Sequence, residues 1–374
     1  MKLAIAAGGT GGHLFPGIAV AEVFKEMNPA GDVLFIGSER GLEKEILERE
    51  GLKHEALDVG RIKGEGFAAR MKTMLRLPKS LMQARSILNQ FQPDVVFGIG
   101  GYSSGPVILA ACLSGIPRAI LEPNAIPGFT NRALSRFVNR IFIAFPEAER
   151  FFVKSKTRRT GTPVRKKLSE IGEGRVVRAG QALPGAPRQD NFFTVLVFGG
   201  SQGATALNRA LVDLLPAIEK ARASGKKFRV IHQTGKNDYD EVKAAYDKTK
   251  IPHEVMPFFE NMDEVYAACD LVVSRAGAST LSELAAAGIP SILVPYPFAA
   301  DDHQRFNAKS IADAGGAEVI LNQELGEKLG ERLFFYEANR GELRKMSDHL
   351  KKSRGAPAAE AVARELFGLM IRGK

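Results

Sequence analysis

The sequence contains no tryptophan and only two cysteines, Cys112 and Cys269. Two thiols, each set in an apolar run, cannot form a disulfide framework, so buried reduced cysteines in a reducing compartment are expected. No apolar stretch approaches the roughly 20 residues that span a bilayer. The run Leu3-Ala4-Ile5-Ala6-Ala7 is too short for the apolar part of a secretory signal and lacks its cleavage region. The six histidines and two cysteines show no paired zinc spacing. With 45% hydrophobic and 25% charged residues, a disordered, collagenous or fibrous chain is excluded.

What is present points to a two-domain α/β protein. A length of 374 residues suits two domains at about 100–200 residues each. Short apolar runs at 3–7, 33–36, 95–99, 119–121 and 141–144 read as buried strands. The amphipathic segments 19–27, 43–50, 79–90 and 107–113 read as helices between them. A second set follows residue 190, with strands at 194–198, 229–233, 271–274 and 291–294. Its helices fall at 206–221, 262–268, 279–287 and 304–314. Strand–helix alternation of this kind predicts parallel sheets with right-handed crossovers. The stretch 169–190 is rich in Gly, Pro, Arg and Gln, has no apolar periodicity and reads as a linker or exposed loop. The expected division is a first domain over 1–165, a linker over 166–190, a second domain over 191–355 and a helix within 356–374. Pro357 suits the first turn of that helix, whose Val362, Leu366 and Leu369 share one face that can pack back on the first domain.

A faint repeat links the halves. Asp94-Val95-Val96, Gly100-Gly101, a helix and Gly115-Ile116-Pro117 match Asp270-Leu271-Val272, Gly277, a helix and Gly288-Ile289-Pro290. Two related open sheets facing one another would form a cleft at the C-terminal ends of their strands, where ligands bind in such folds.

Each half also carries a glycine loop directly after its first strand: Gly8-Gly9-Thr10-Gly11-Gly12-His13 and Gly199-Gly200-Ser201-Gln202-Gly203-Ala204. Glycines there admit positive φ and close approach of a ligand, and the N–H groups opening the next helix attract anions. The bland alternative is a tight strand-to-helix turn. The first loop departs from the dinucleotide pattern at its sixth position, and Glu22 falls inside the first helix rather than at the end of a second strand. Neither loop has the Gly-Lys-Ser/Thr of a nucleoside-triphosphate loop. Asp238-Tyr239-Asp240 spells a metal-type Asp-x-Asp but lies in a polar, helix-starting segment and reads as surface.

In one order along the chain stand Gly8–His13 with Phe15-Pro16, Gly100-Gly101-Tyr102, Glu122-Pro123-Asn124, Gly161-Thr162-Pro163-Val164-Arg165, Gly199–Ala204 and Arg275–Glu283. Together they closely resemble the MurG family, the bacterial UDP-N-acetylglucosamine–N-acetylmuramyl-(pentapeptide) pyrophosphoryl-undecaprenol N-acetylglucosaminyltransferases. The resemblance runs from residue 1 to about 320. It implies two Rossmann-like doubly wound domains in the GT-B arrangement. It also implies inverting transfer of N-acetylglucosamine from UDP-N-acetylglucosamine to the muramoyl 4-hydroxyl of lipid I, giving lipid II and UDP for peptidoglycan, with no metal and no cofactor. By the same resemblance His13 is the candidate base, and Thr10, Gly11 and Gly12 line the sugar and acceptor side. Asn124 meets the donor sugar, Arg165 the nucleotide and Ser201 the diphosphate, with Gln202 also among the substrate-binding residues. The backbone at Phe259 meets uracil, Glu283 the ribose and Gln304 the sugar. His303 stands where related chains carry a second glutamine. Alternatives are a UDP-sugar 2-epimerase on the same fold, or a non-enzymatic nucleotide-sugar sensor.

The charge balance is 52 Lys+Arg against 42 Asp+Glu, a net of +10, which favours acidic partners. The excess is uneven: residues 1–60 carry a net of −4 and residues 61–165 a net of +12. Within 61–85, Lys63, Arg70, Lys72, Arg76, Lys79 and Arg85 interleave with Phe67, Met71, Met74, Leu75, Leu77, Leu81 and Met82. This fits docking on anionic headgroups, chiefly through 62–77, at about 1 kcal/mol per basic residue near the surface. Residues 81–88 read instead as an ordinary helix with a core face. A lipid-linked acceptor would place the protein peripherally on the cytoplasmic face of the bacterial membrane, beside other cell-wall synthesis proteins. Nucleic acid is not expected, because no helix-turn-helix, zinc finger or aromatic ribonucleoprotein motif is visible.

Overall fold

The computed structural model describes residues 1–8, 11–37, 41–58, 67–101, 103–173, 192–352 and 357–372, with 11, 41–43, 67–76 and 372 described as backbone only. It divides into two compact units, Met1–Arg165 with Gly355–Lys374, and Lys166–Arg354.

The first unit holds a seven-stranded parallel sheet in the order β3-β2-β1-β4-β5-β6-β7. Its strands are β1 (Lys2–Ala7), β2 (Asp32–Gly37), β3 (Lys53–Ala56), β4 (Val95–Gly100), β5 (Arg118–Glu122), β6 (Arg140–Ile143) and β7 (Thr157–Arg159). Its helices are α1 (Gly11–Met27), α2 (Gly41–Arg49), α3 (Phe67–Phe91), α4 (Ser104–Leu113) and α5 (Phe129–Leu134). The second unit opens with α6 (Lys166–Gly172). Around a six-stranded parallel sheet in the order β10-β9-β8-β11-β12-β13 stand β8 (Phe193–Phe198), α7 (Thr205–Ala223), β9 (Phe228–Gln233), α8 (Tyr239–Tyr246), β10 (His253–Met256), α9 (Met262–Ala268), β11 (Leu271–Ser274), α10 (Ala278–Ala287), β12 (Ser291–Leu293), α11 (His303–Asp313), β13 (Ala317–Val319), α12 (Leu325–Ala338) and α13 (Arg340–Lys352). The chain then returns to the first unit as α14 (Ala358–Arg372). Both units are doubly wound Rossmann-like domains, the two-domain GT-B fold.

The central strands are apolar without alternation because helices cover both faces. Successive side chains of β1 point to opposite sides. Leu3 and Ile5 join Leu14, Ile18 and Phe24 of α1, whereas Ala4 and Ala6 join Val107 and Ile108 of α4. Helix α14 completes the first of these layers. Val362, Leu366, Leu369 and Met370 are buried there, each contributing about 1.5–3 kcal/mol, and Phe367 stacks on Phe24 at 4.9 Å. Arg140 Nε donates to Glu365 Oε2 at 3.0 Å, fixing the helix against the end of β6.

The internal repeat has a physical basis. Asp94 and Asp270 each accept the backbone N–H of the neighbouring first strand, Lys2 N at 2.8 Å and Thr194 N at 2.8 Å. Gly115 and Gly288 end α4 and α10 with φ of 68° and 60°. The isoleucine after each donates back to the helix, Ile116 N to Ala111 O and Ile289 N to Leu284 O, both at 2.9 Å. This is a left-handed C-terminal cap that glycine adopts without strain.

One stretch differs from the composition-based reading. Helix α6, with Leu168 and Ile171 buried, occupies the start of the expected linker. It packs on α9 and α10, and Lys167 lies 3.6 Å from Asp263; residues 174–191 lie outside the described residues. Of the expected membrane segment 62–77, residues 62–66 lie outside the described residues and 67–76 are helical backbone at the start of α3. Farther along α3, Ala84 and Leu88 are core, as the reading of 81–88 predicts. No described helix is long and apolar enough to cross a membrane.

Candidate active site

Strand order reverses between β1 and β4 in one unit and between β8 and β11 in the other. These switch points open crevices at the C-terminal strand ends, and each holds a glycine loop.

At the first, the end of β4 is pressed against the β1–α1 connection. A Cβ on Gly101 would lie 1.7 Å from Gly8 O, and Gly101 has φ of 80°, so only glycine fits. Gly100, φ 111°, lies under the His13 ring, where a Cβ would come within 3.0 Å of Nε2. His13 thus sits in the first turn of α1, braced on the end of β4. Its Nδ1 is buried without a hydrogen-bond partner among the described residues. Burial lowers its pKa below the ordinary histidine value, which keeps the imidazole neutral at pH 7. Gly11 and Gly12 open the same helix, and Thr10 and Tyr102 lie outside the described residues.

Asn124 follows β5 and is oriented by a residue whose role the sequence left unassigned. Glu122 is buried, and its Oε1 accepts from Asn124 N at 2.9 Å and Asn124 Nδ2 at 3.1 Å. Its Oε2 accepts from Gly128 N at 3.1 Å and Asn131 Nδ2 at 2.9 Å. Burial raises the pKa of this carboxyl, and the four donors oppose the rise. The signal for it was the acid in Glu-Pro-Asn, legible only as part of a motif. Arg165 stacks its guanidinium on Phe15 of α1 at 5.0 Å, with Nε buried and unpartnered among the described residues.

At the second switch point, Gly200-Ser201-Gln202-Gly203 is a turn closed by Gly203 N to Gly200 O at 3.1 Å. Beneath it lies the Thr234-Gly235 turn. A Cβ on Gly203, φ 77°, would meet Thr234 O at 2.1 Å, so the two turns touch through backbone alone. Gln233, at the end of β9, donates Nε2 to Gly200 O at 3.1 Å and accepts Phe259 N at 2.8 Å through Oε1. The loop carrying Ser201 and Gln202 and the segment carrying Phe259 are therefore joined by one side chain.

A buried chain supports this floor. Asn208 Nδ2 donates to Thr234 O at 2.9 Å and to Asp238 Oδ2 at 2.7 Å. Its Oδ1 must then accept from His232 Nε2, 3.0 Å away, which leaves His232 Nδ1 to accept the Tyr246 hydroxyl at 3.2 Å. Burial, opposed only by the nearby Asp238 charge, pushes the His232 pKa down to about 3. Asp238, read from sequence as surface, is half-buried and belongs to this network; Asp240 is exposed, and no described group of acids and histidines has a metal-binding arrangement.

Glu283, on α10, accepts the Tyr266 hydroxyl at 2.9 Å. Gln304 Oε1 accepts Tyr296 N at 2.9 Å, tying α11 to the loop after β12. His303 Nδ1 lies 2.7 Å from Ala300 O. Arg275 reaches the carbonyls of Val294 and Pro295 at 3.2 and 3.3 Å. The structure thus gathers Gly12 and His13 at one switch point, with Asn124 on the adjoining strand end. It gathers Ser201, Gln202 and Phe259 at the other, and places Glu283 and Gln304 on neighbouring helices of the same unit.

Residues 3–143 match the glycosyltransferase family 28 N-terminal domain, and residues 194–362 match the family 28 C-terminal domain. A UDP-N-acetylglucosamine--N-acetylmuramyl-(pentapeptide) pyrophosphoryl-undecaprenol N-acetylglucosamine transferase from Citrifermentans bemidjiense is 42% identical over 363 residues, 97% of this chain and 98% of that protein. The crystal structure of MurG from Acinetobacter baumannii superposes with a TM-score of 0.73 at 30% identity, covering 98% of this chain and 100% of that one. A UDP-N-acetylglucosamine 2-epimerase from Neisseria meningitidis, TM-score 0.67 over 98% of this chain and 100% of that one, is only 15% identical and shares the fold alone. With both domains matched and identity this high over nearly the whole length, the chain belongs to glycosyltransferase family 28 and, within it, to the MurG family.

Proposed function

We propose that the chain transfers N-acetylglucosamine from UDP-N-acetylglucosamine to the muramoyl 4-hydroxyl of lipid I, inverting the anomeric centre and releasing lipid II and UDP. The observation that carries this reading is 42% identity over 97% of the chain to an enzyme named for that transfer. In the reaction the acceptor oxygen attacks the anomeric carbon, the bond to UDP breaks, and UDP leaves with the electron pair. His13, neutral at pH 7, takes the hydroxyl proton. Gly11, Gly12 and Thr10 line the acceptor side, with Asn124 and Gln304 on the donor sugar. The Ser201 N–H and the start of α7 face the diphosphate, where negative charge grows as the bond breaks, so donors fixed there act on the rate. Gln202 flanks the phosphates, Arg165 reaches the nucleotide, and the Phe259 backbone meets uracil. No metal enters these steps.

Incubation with UDP-N-acetylglucosamine and a short-chain lipid I analogue, in chelator, is expected to yield a β-1,4-linked product. UDP-N-acetylglucosamine alone is expected to show no 2-epimer by proton NMR. A folded sample that makes no product, or that epimerises the donor, overturns the reading. We also propose that the basic part of the first unit docks on the cytoplasmic face of the membrane. Supporting this are the net charge of +12 over 61–165 and the exposed Leu77 and Met82 beside Lys79 on α3. With the acceptor in vesicles, turnover then rises with anionic lipid and falls with salt.

Glu283, held by Tyr266, accepts the ribose hydroxyls. Glu283→Ala is expected to weaken UDP binding by about 1–3 kcal/mol, the cost of leaving such hydrogen bonds unmade. Calorimetry reads this directly, and unchanged affinity would remove Glu283 from the ribose site.

A further inference from the structure

The geometry points to Gln233 as a positioning residue that couples the phosphate loop to the base-binding segment, so that nucleotide affinity depends on one buried carboxamide bridging both; this rests on the nucleotide site proposed above. Gln233 is buried at the end of β9, paired with Phe198 of β8 in the sheet register. From there its amide spans two chain segments: Nε2 to Gly200 O at 3.1 Å and Oε1 to Phe259 N at 2.8 Å.

The Gly200 end sets the direction of the loop. Gly200 O accepts twice, from Gly203 N at 3.1 Å and from Gln233 Nε2 at 3.1 Å. Its peptide is trans, as are all those described. In a trans peptide the carbonyl and the following N–H point opposite ways. With Gly200 O turned down into the protein, the Ser201 N–H is turned outward, towards the position the proposal gives to the diphosphate. Gly200 has φ of 90° and no Cβ to restrict it, so its own backbone does little to hold that plane. The restraint comes from the two bonds to its carbonyl, and the Gln233 bond is the one that anchors the turn to β9.

The Phe259 end locates the base. The same carboxamide, through its oxygen, fixes the Phe258–Phe259 peptide plane. Because an amide is planar, moving one contact moves the other, and the spacing between the base segment and the phosphate loop is set by the width of one carboxamide. Preorganisation of this kind raises affinity without touching the ligand.

The test is Gln233→Met, nearly equal in size but without either hydrogen bond. Uridine, UMP and UDP are titrated against parent and variant by calorimetry, with circular dichroism to establish that the variant is folded. The expected result is a UDP affinity about tenfold or more lower, as for loss of one well-made hydrogen bond, with uridine affected less, so that the ratio of UDP to uridine affinity falls. A folded variant whose three affinities match the parent, or fall by one common factor, overturns the coupling role, since a purely structural glutamine would leave the ratio unmoved. If Gln233→Met does not fold, Gln233→Glu, which keeps the acceptor for Phe259 N–H and loses the donor to Gly200 O, is judged by the same ratio. Parent protein that binds no UDP would instead overturn the nucleotide site itself, and the coupling with it.

Discussion

Replacing His13 with alanine is expected to lower turnover about 10²–10⁴-fold, the usual contribution of a general base, while leaving UDP affinity within a few-fold of the parent. Both halves of the expectation have a structural reason. The ring is braced on Gly100 at the end of β4, and burial keeps it neutral and able to accept a proton at pH 7. The residues proposed to hold UDP through Ser201, Phe259 and Glu283 belong to the other compact unit, so removing the imidazole leaves their hydrogen bonds intact. The alternative role for His13 is mechanical, propping the glycine loop against β4. His13→Gln separates the two, because it restores bulk and hydrogen bonding but no base of suitable pKa. Rescue of turnover by glutamine would show a prop; continued loss shows a base. In the parent, the rate is expected to hold through neutral pH and to decline only below the ordinary histidine pKa, because the folded value is lowered.

Acidification is expected to loosen the second unit through His232. This histidine is neutral in the folded state down to pH about 3, whereas in the unfolded chain it takes a proton near pH 6.5. Its folded pKa is therefore depressed. Its contribution is complete above pH 6.5 and is lost as pH falls towards 3, because only the unfolded chain gains the proton over that range. At 1.36 kcal/mol per pH unit, the loss between pH 6.5 and pH 4 is about 3 kcal/mol. The strand and helix that carry the network, β9 and α7, should lose amide-exchange protection accordingly. His232→Gln keeps a donor for Asn208 and an acceptor for Tyr246 but does not titrate, so its β9 protection should decline far less between pH 7 and pH 4. Equal decline in parent and variant would exclude His232 as the cause.

Much of the framework is legible in one dimension. Buried parallel strands are short apolar runs bounded by turns, so β1, β2, β4, β5, β6, β8, β9, β11 and β12 are read to within a residue or two. The edge strands β3, β7, β10 and β13 escape because an edge is half solvated: Lys53–Ala56 alternates exposed and half-buried positions and contains only one apolar residue. Helix α1 begins eight residues before the expected start. Glycines and Pro16 argue locally against helix, and packing of Leu14 and Ile18 on the sheet overrides them. Helices α12 and α13 pass unread because they follow the last recognisable motif and α13 is highly charged.

By itself the sequence determined the class of the buried strands and of most helices between them, the two glycine loops and the family, since these depend on local propensity, apolar period and the order of motifs. Only the tertiary structure decided what holds the loops in place. Gly101 must be glycine because Gly8, far back in the chain, lies against it. Glu122 gathers a turn around a buried carboxylate, Gln233 joins Gly200 to Phe259, and Asp238 changes from a surface acid to a partner of Asn208. Such hydrogen bonds form between segments distant in sequence, and their direction depends on peptide planes and burial that exist only once the sheets are assembled.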